Sequence, residues 1–304
     1  MQKLNRAIGL AAGIVLASAA LYAPAQARDF SKVEIKTVKL TESIYVLFGA
    51  GGNIGVSIGD DGVFLIDDQY APLSAKILAA VRKLSDKPIR FVINTHWHRD
   101  HTGGNETMGR AGAAIVAHEN VRRRLSSPQS IPAFNMKTKP APAAALPQVT
   151  FADAVSLHFN GDHARILHQP AAHTDGDAFV HFTRANVIHA GDLFFNGFYP
   201  FIDGSNGGSI TGVIKAVDMI LGIANEMTRI IPGHGPMATR RDLVKYRDML
   251  KTVHARVARA MSAGQSAKEL VKSGAFNDIE KSWGGGFLKT QKFITVVYAG
   301  LKPQ

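Results

Sequence analysis

The 304-residue chain has no cysteine. That excludes disulfides, thiolate metal ligands and a cysteine nucleophile, so stability must come from an apolar core and from any bound metal. No low-complexity tract and no fixed-period repeat is present, which argues against solenoid or fibrous architectures. Beyond the N-terminus no segment is apolar enough to cross a bilayer. What remains suits a loop-rich globular enzyme: 46% hydrophobic residues supply the core of one large or two small domains, and glycine is plentiful at 29 residues.

The first residues read as an export signal. Lys3 and Arg6 form a short basic region, Ala7 to Ala23 is apolar and small, and Ala25-Gln26-Ala27 supplies a small-x-small cleavage pattern. Cleavage after Ala27 is expected. Residues 1–27 would be a signal peptide, residues 28–304 the mature domain, and the address periplasmic or secreted, without a stable membrane span. The rival is an uncleaved anchor, for which the apolar stretch is short.

Net charge is +11, and removing Lys3 and Arg6 leaves +9. A basic surface can serve an anionic substrate, a membrane or nucleic acid. The densest patch, Arg122-Arg123-Arg124, reads as the solvated face of a helix end. A small-molecule substrate is expected, and no nucleic-acid partner.

Strand-length apolar or alternating segments run from Val33 to Leu40, Ser43 to Phe48, Ile54 to Ile58, Val63 to Ile66, Arg90 to Asn94 and Ala114 to Ala117. Helical spacing marks Ala71 to Leu84, and a short helix is expected through Arg124. Ser127 to Pro147 holds five prolines and reads as a surface loop. Strands resume with Val149 to Phe151, Val155 to Phe159, Ile166 to His168, Phe179 to Phe182, Val187 to His189 and Thr228 to Ile231. Helices are expected over Gly212 to Ile223, Asp242 to Met261, Ala267 to Ser273 and Phe287 to Leu301. The pattern gives two similar halves, each a sheet with helices on one face, with the two sheets packed together.

The decisive segment is His96-Trp97-His98-Arg99-Asp100-His101, which follows a buried strand. Residues two apart on extended chain point the same way, so His96 and His98 share a side and Asp100 and His101 curl back toward them. Imidazoles and a carboxylate are the ligand set of zinc and similar metals. His173, Asp192 in Ala190-Gly191-Asp192 and His234 in Pro232-Gly233-His234-Gly235-Pro236 follow strands or sit in glycine-rich loops, where scaffolds present functional groups. The remaining histidines, His118, His158, His163, His168, His181, His189 and His254, read as core or surface residues, with His189 a candidate support for Asp192.

The order HxHxDH, His, GD, GH resembles the metallo-β-lactamase superfamily, across essentially the whole mature chain. The resemblance implies an α+β fold, a four-layer αββα sandwich with its metals at one edge of the sheets. It implies one metal on His96, His98 and His173, another on Asp100, His101 and His234, and Asp192 bridging. Two zinc ions per chain are expected, with iron or manganese as possible occupants. Asp67, in Leu65-Ile66-Asp67-Asp68, is the candidate to support the HxHxDH loop. Two ions about 3.5–4 Å apart can share an activated water that attacks a polarised carbonyl, with Asp100 as the catalytic residue passing a proton to the leaving group.

The substrate is less defined. Asp192 stands where cysteine-containing lactamases place a thiolate, and matches glyoxalase II-like hydrolases better; where many of those lactamases hold a lysine, this chain has Phe195. The leading expectation is a di-zinc hydrolase of esters, thioesters, lactones or lactams. The alternatives are a periplasmic class B β-lactamase, a mononuclear iron thiol or persulfide dioxygenase and a phosphodiesterase or nuclease; a non-catalytic binding role fits the complete ligand set least. The aromatic run from Leu193 to Phe201 is either pocket wall or core, and the tip Gly49-Ala50-Gly51-Gly52-Asn53 either a mobile flap over the site or a plain turn.

Overall fold

A computed structural model describes residues 29–302. The expected signal segment and its cleavage site lie outside the described residues. The first half forms β1 (Lys36–Lys39), β2 (Ile44–Phe48), β3 (Ile54–Gly59), β4 (Gly62–Ile66), helix α1 (Ser74–Arg82), β5 (Ile89–Ile93), the short helices α2 (Arg99–Thr102) and α3 (Asn105–Arg110), β6 (Ala114–His118) and α4 (Glu119–Leu125). A small hairpin, β7 (Gln129–Ile131) and β8 (Met136–Thr138), follows, then β9 (Val149–Phe151). The second half has β10 (Ala154–Phe159), β11 (Asp162–Gln169), β12 (Asp177–Phe182), β13 (Val187–Phe195), α5 (Ile210–Ile223), β14 (Arg229–His234), β15 (Ala238–Thr239), α6 (Arg240–Ser262), α7 (Ala267–Lys272), α8 (Asn277–Trp283) and α9 (Thr290–Gly300).

Strands β1 to β6 and β9 make a seven-stranded sheet, and β10 to β15 a six-stranded one. Residue parity explains why they stack. Every residue of β4 is buried, because its two faces meet different layers. Phe64 and Ile66 point to the space between the sheets, where they meet Val180, Phe182 and Ile231 of the second sheet. Val63 and Leu65 point the other way, onto Ile77 and Val81 of α1 and Met108 of α3. On the far side, α6 lays Leu243, Tyr246, Leu250, Val253 and Val257 at three- and four-residue spacing against the second sheet, beside Val213, Val217 and Ile220 of α5. Three apolar layers thus separate helix, sheet, sheet and helix, the expected αββα order. The cap of α6 is equally local: Thr239 accepts from the Asp242 amide and Asp242 returns the bond.

Three expectations change. The proline-rich segment contains a hairpin and two 3-10 turns rather than plain loop; prolines at turn starts, such as Pro132, leave short runs free to pair. The strand expected to stop at His189 runs on to Phe195 through an irregularity around Gly191. Asn105–Arg110 and Asn277–Trp283 are helical where none was read. No helix among the described residues is long and apolar enough to cross a membrane.

Candidate metal centre

The site lies where strand ends of the two sheets converge. The end of β5 delivers His96 and His98, and α2 turns Asp100 and His101 back beside them. His173 comes from the β11–β12 connection, Asp192 from β13 and His234 from the end of β14. Asp192 is therefore a strand residue, not a loop residue. Gly191 makes this possible: its φ is +52°, and a Cβ there would lie 2.7 Å from Thr95 Cβ.

All seven candidates converge. His96, His98, His173 and Asp192 form one group able to hold a metal ion, and Asp100, His101 and His234 a second. In the first, His98 Nε2 faces Asp203 Oδ2 at 3.0 Å and His173 Nδ1 faces the Phe201 carbonyl at 2.7 Å. Those acceptors take each ring's proton, so the nitrogens facing each other 2.9 Å apart, His98 Nδ1 and His173 Nε2, both present lone pairs. Such a contact is repulsive unless a cation lies against both. In the second, His101 Nδ1 donates to Asp67 Oδ2 at 2.7 Å, which turns its Nε2 toward His234 Nε2, 3.2 Å away. His96 Nε2 is buried and hydrogen-bonds to no described residue. Orphaned donor atoms of this kind are costly in a core and fit a bound metal.

Asp192 joins the groups. Its Oδ2 lies 3.4 Å from His173 Nε2 and 3.7 Å from His96 Nε2. Its Oδ1 lies 3.1 Å from His101 Nε2 and 3.4 Å from His234 Nε2. The electrostatics differ between the groups. Burial, with neighbouring imidazoles, pushes His96 well below the ordinary range, and burial takes His173 down to about 4; both are neutral and ligand-ready. In the second group burial is outweighed by charge: Asp192 and Asp100 raise His234 to about 9, and Asp192, Asp67 and Asp100 raise His101. The same pairs hold Asp100 and Asp192 low against burial.

The supporting side chains were only partly foreseen. Asp67 takes the expected role, accepting from the Thr95 amide and hydroxyl, both at 2.8 Å, as well as from His101. Asp203 was missed. It is fixed by Ser205 Oγ at 2.6 Å and Asn206 Nδ2 at 2.7 Å, and its only sequence signal is a polar, glycine-flanked turn. His189 acts at one remove, facing the Asn53 carbonyl at 3.0 Å. The tip at Gly49 to Asn53 is tied down: Gly52 donates to the Asp100 carbonyl at 3.0 Å, and Asn53 to the Gly233 carbonyl at 2.7 Å. It lies over the site and clips the two halves together. Of the three arginines, Arg122 and Arg123 are exposed, as a solvated face requires. Arg124 is mostly buried, with a bidentate pair to Asp175 at 2.6 and 2.7 Å, and Arg122 bonds the Pro147 carbonyl. The aromatic run is core and wall together: Phe194 is buried against Tyr246, while Phe195 stacks on His234 at 5.1 Å.

A family profile described as the metallo-beta-lactamase superfamily matches residues 48–234, and the chain belongs to that superfamily. A hydroxyacylglutathione hydrolase of Gloeobacter violaceus is 27% identical over 149 residues, 46% of this chain and 52% of that protein, so the match spans about half of its length. The 2,4-dinitroanisole O-demethylase subunit alpha of a Nocardioides species is 22% identical over 78% of this chain and 70% of its own. Among solved structures, a metallo-beta-lactamase from Pontibacter korlensis superposes with a TM-score of 0.59 at 17% identity, covering 72% of this chain and 99% of that one. That likeness shows the fold. The chain is thus of a metallo-hydrolase superfamily and carries His/Asp clusters able to bind metal.

Proposed function

We propose that this protein is a di-zinc hydrolase of acyl bonds in esters, thioesters or lactones. One observation carries the two-ion reading: Asp192 turns a separate oxygen to each ligand group. When bound, two zinc ions would supply an activated water and a Lewis-acidic seat for the substrate's carbonyl oxygen. His96, His98 and His173 would hold one ion, Asp100, His101 and His234 the other, and Asp192 would span them. Asp203 and Asp67 keep the proton on the outer nitrogens of His98 and His101, so the inner ones stay free as ligands. Asp100, whose side chain is 25% exposed, has a carboxylate at the open side of the site and is placed to take the proton given up by the attacking water and hand it to the leaving group. Support for acyl substrates is the likeness to a protein named for hydrolysing hydroxyacylglutathione.

Elemental analysis of purified protein tests the metal half: about two zinc per chain are expected from the two groups. One iron and no zinc would replace this reading with the dioxygenase. Asp192→Ala should lose the second ion and orders of magnitude in thioester turnover while keeping the ion on His96, His98 and His173. We further propose export with cleavage after Ala27, which the intact mass of periplasmic protein checks; a mature chain starting at Met1 would exclude it.

A further inference from the structure

Five phenylalanines form an arc around the candidate centre. It begins on the second ligand group, where Phe195 stacks on His234 with ring centres 5.1 Å apart. Phe198 packs on Phe195 at 5.8 Å, and Phe287 lies 6.3 Å from Phe195, Phe198 and Phe134 alike. Phe134 packs on Phe201 at 4.6 Å. Phe201 closes the arc on the first group, 6.0 Å from His98 and 5.9 Å from His173. Three remote parts of the chain build it: the turn Pro132–Phe134, the end of β13 with the stretch after it, and the segment between α8 and α9.

Two of these rings are not core. Phe134 is 41% exposed and Phe287 58%. A contiguous apolar patch left in water marks a binding surface. Its position decides what binds. The patch is continuous through ring contacts with candidate ligands of both groups, and it borders their open side, where the His234 and Asp100 side chains are 20% and 25% exposed. The approach of Phe287 is also built in. It follows Gly284-Gly285-Gly286, and a Cβ at Gly286 would lie 2.6 Å from Phe198 Cβ, so glycine lets this backbone run against the wall.

We propose that this arc seats a bulky apolar arm of the substrate, so that the preferred acyl compounds carry an aryl or medium-chain alkyl group rather than a small one. This rests on the acyl-hydrolase reading. The five rings offer area and no charge, so selection is by size and apolarity.

The test uses the zinc-loaded full chain and thioesters of one polar thiol, N-acetylcysteamine, with acetyl, octanoyl and phenylacetyl groups. The larger two should exceed acetyl in kcat/KM by about tenfold or more. Phe134→Ala and Phe287→Ala should each cut the octanoyl-to-acetyl ratio about fivefold, chiefly through KM, with two zinc retained, and Phe287→Leu should restore most of it. An equal loss on all three thioesters, or an unchanged ratio, overturns the proposal. So does conversion of a dimer to a monomer in these variants with a flat substrate profile, since the patch would then be an interface between copies. If no thioester is turned over, the acyl reading fails but the wall is still read by calorimetry. Phenylmethanethiol should bind the zinc-loaded protein about tenfold tighter than 2-mercaptoethanol, and the difference should vanish in the alanine variants. Equal binding of the two thiols by the native protein overturns the wall.

Discussion

Asp67→Asn puts the tautomer argument to a direct test. Asp67 is fully buried and accepts three hydrogen bonds, from the Thr95 amide, the Thr95 hydroxyl and His101 Nδ1. Its φ is +63°, in the left-handed region, which asparagine enters as readily as aspartate, so the backbone is not strained by the change. Alanine there would confuse backbone strain with lost bonding. The amide oxygen can keep the Thr95 amide, which leaves the amide nitrogen facing Thr95 Oγ1 and His101 Nδ1. The hydroxyl can rotate to accept. His101 can accept only by moving its proton to Nε2, the nitrogen 3.1 Å from Asp192 Oδ1 and 3.2 Å from His234 Nε2. A protonated nitrogen is no ligand, so the second ion must first reverse that choice against the amide. Losses of this kind weaken metal binding about 10- to 100-fold, or about 1.4–2.7 kcal/mol. The fold itself should lose about 1–3 kcal/mol for the weakened buried bonds, a fall of several degrees in Tm. The assay is zinc titration of chelator-stripped protein against a chromogenic chelator, beside thermal unfolding. Two ions bound with native affinity would refute the reasoning, because His101 would then be no ligand or Asp67 would not set its tautomer.

Gly52→Ala would place a Cβ 2.1 Å from His101 Cε1, so the ring must move; turnover should fall about a hundredfold, with the circular dichroism of the native protein retained. Asp68 is buried and accepts from the Gly104 amide at 2.8 Å, and burial disfavours its charge, holding it well above the ordinary carboxylate range. Asp68→Asn should therefore stay within about 1 kcal/mol of native stability in a urea titration, in contrast to Asp67→Asn. Burial opposes a proton on His234, but Asp192 and Asp100 outweigh it and raise it from 6.5 to about 9, and a metal must displace that proton. Apparent affinity for the second ion should rise with pH up to about 9, by up to about tenfold per unit for one proton; a flat profile between pH 7 and 8.5 would remove His234 from the ligand set. In metal-free protein the sign reverses. A folded value above the unfolded 6.5 stabilises fully below 6.5 and is lost as pH rises through about 9, so metal-free Tm should decline across that window.

The ligands could be read in advance because metal chemistry constrains residue type and local spacing together. His96, His98, Asp100 and His101 sit on one turn, where two-residue alternation and a short helix fix their directions without tertiary information. Sandwich layering was legible for a similar reason: the unbroken apolar run of β4 makes sense only if both faces are covered. What stayed hidden acts across long sequence separation. Asp203 meets His98 across 105 residues, and Asn53 meets Pro232 across 179. An aspartate in a glycine-flanked turn and an asparagine at a hairpin end are ordinary in composition; only the closed sandwich gives them partners. Arg124 shows the converse error. As the last of three arginines it read as solvated surface, yet Asp175, two residues past His173, takes both guanidinium nitrogens. Its charge thus anchors the chain that carries a candidate ligand. The sequence alone could not separate it from its two neighbours, because helix periodicity shows which residues differ in direction but not what the second sheet will bring to meet them.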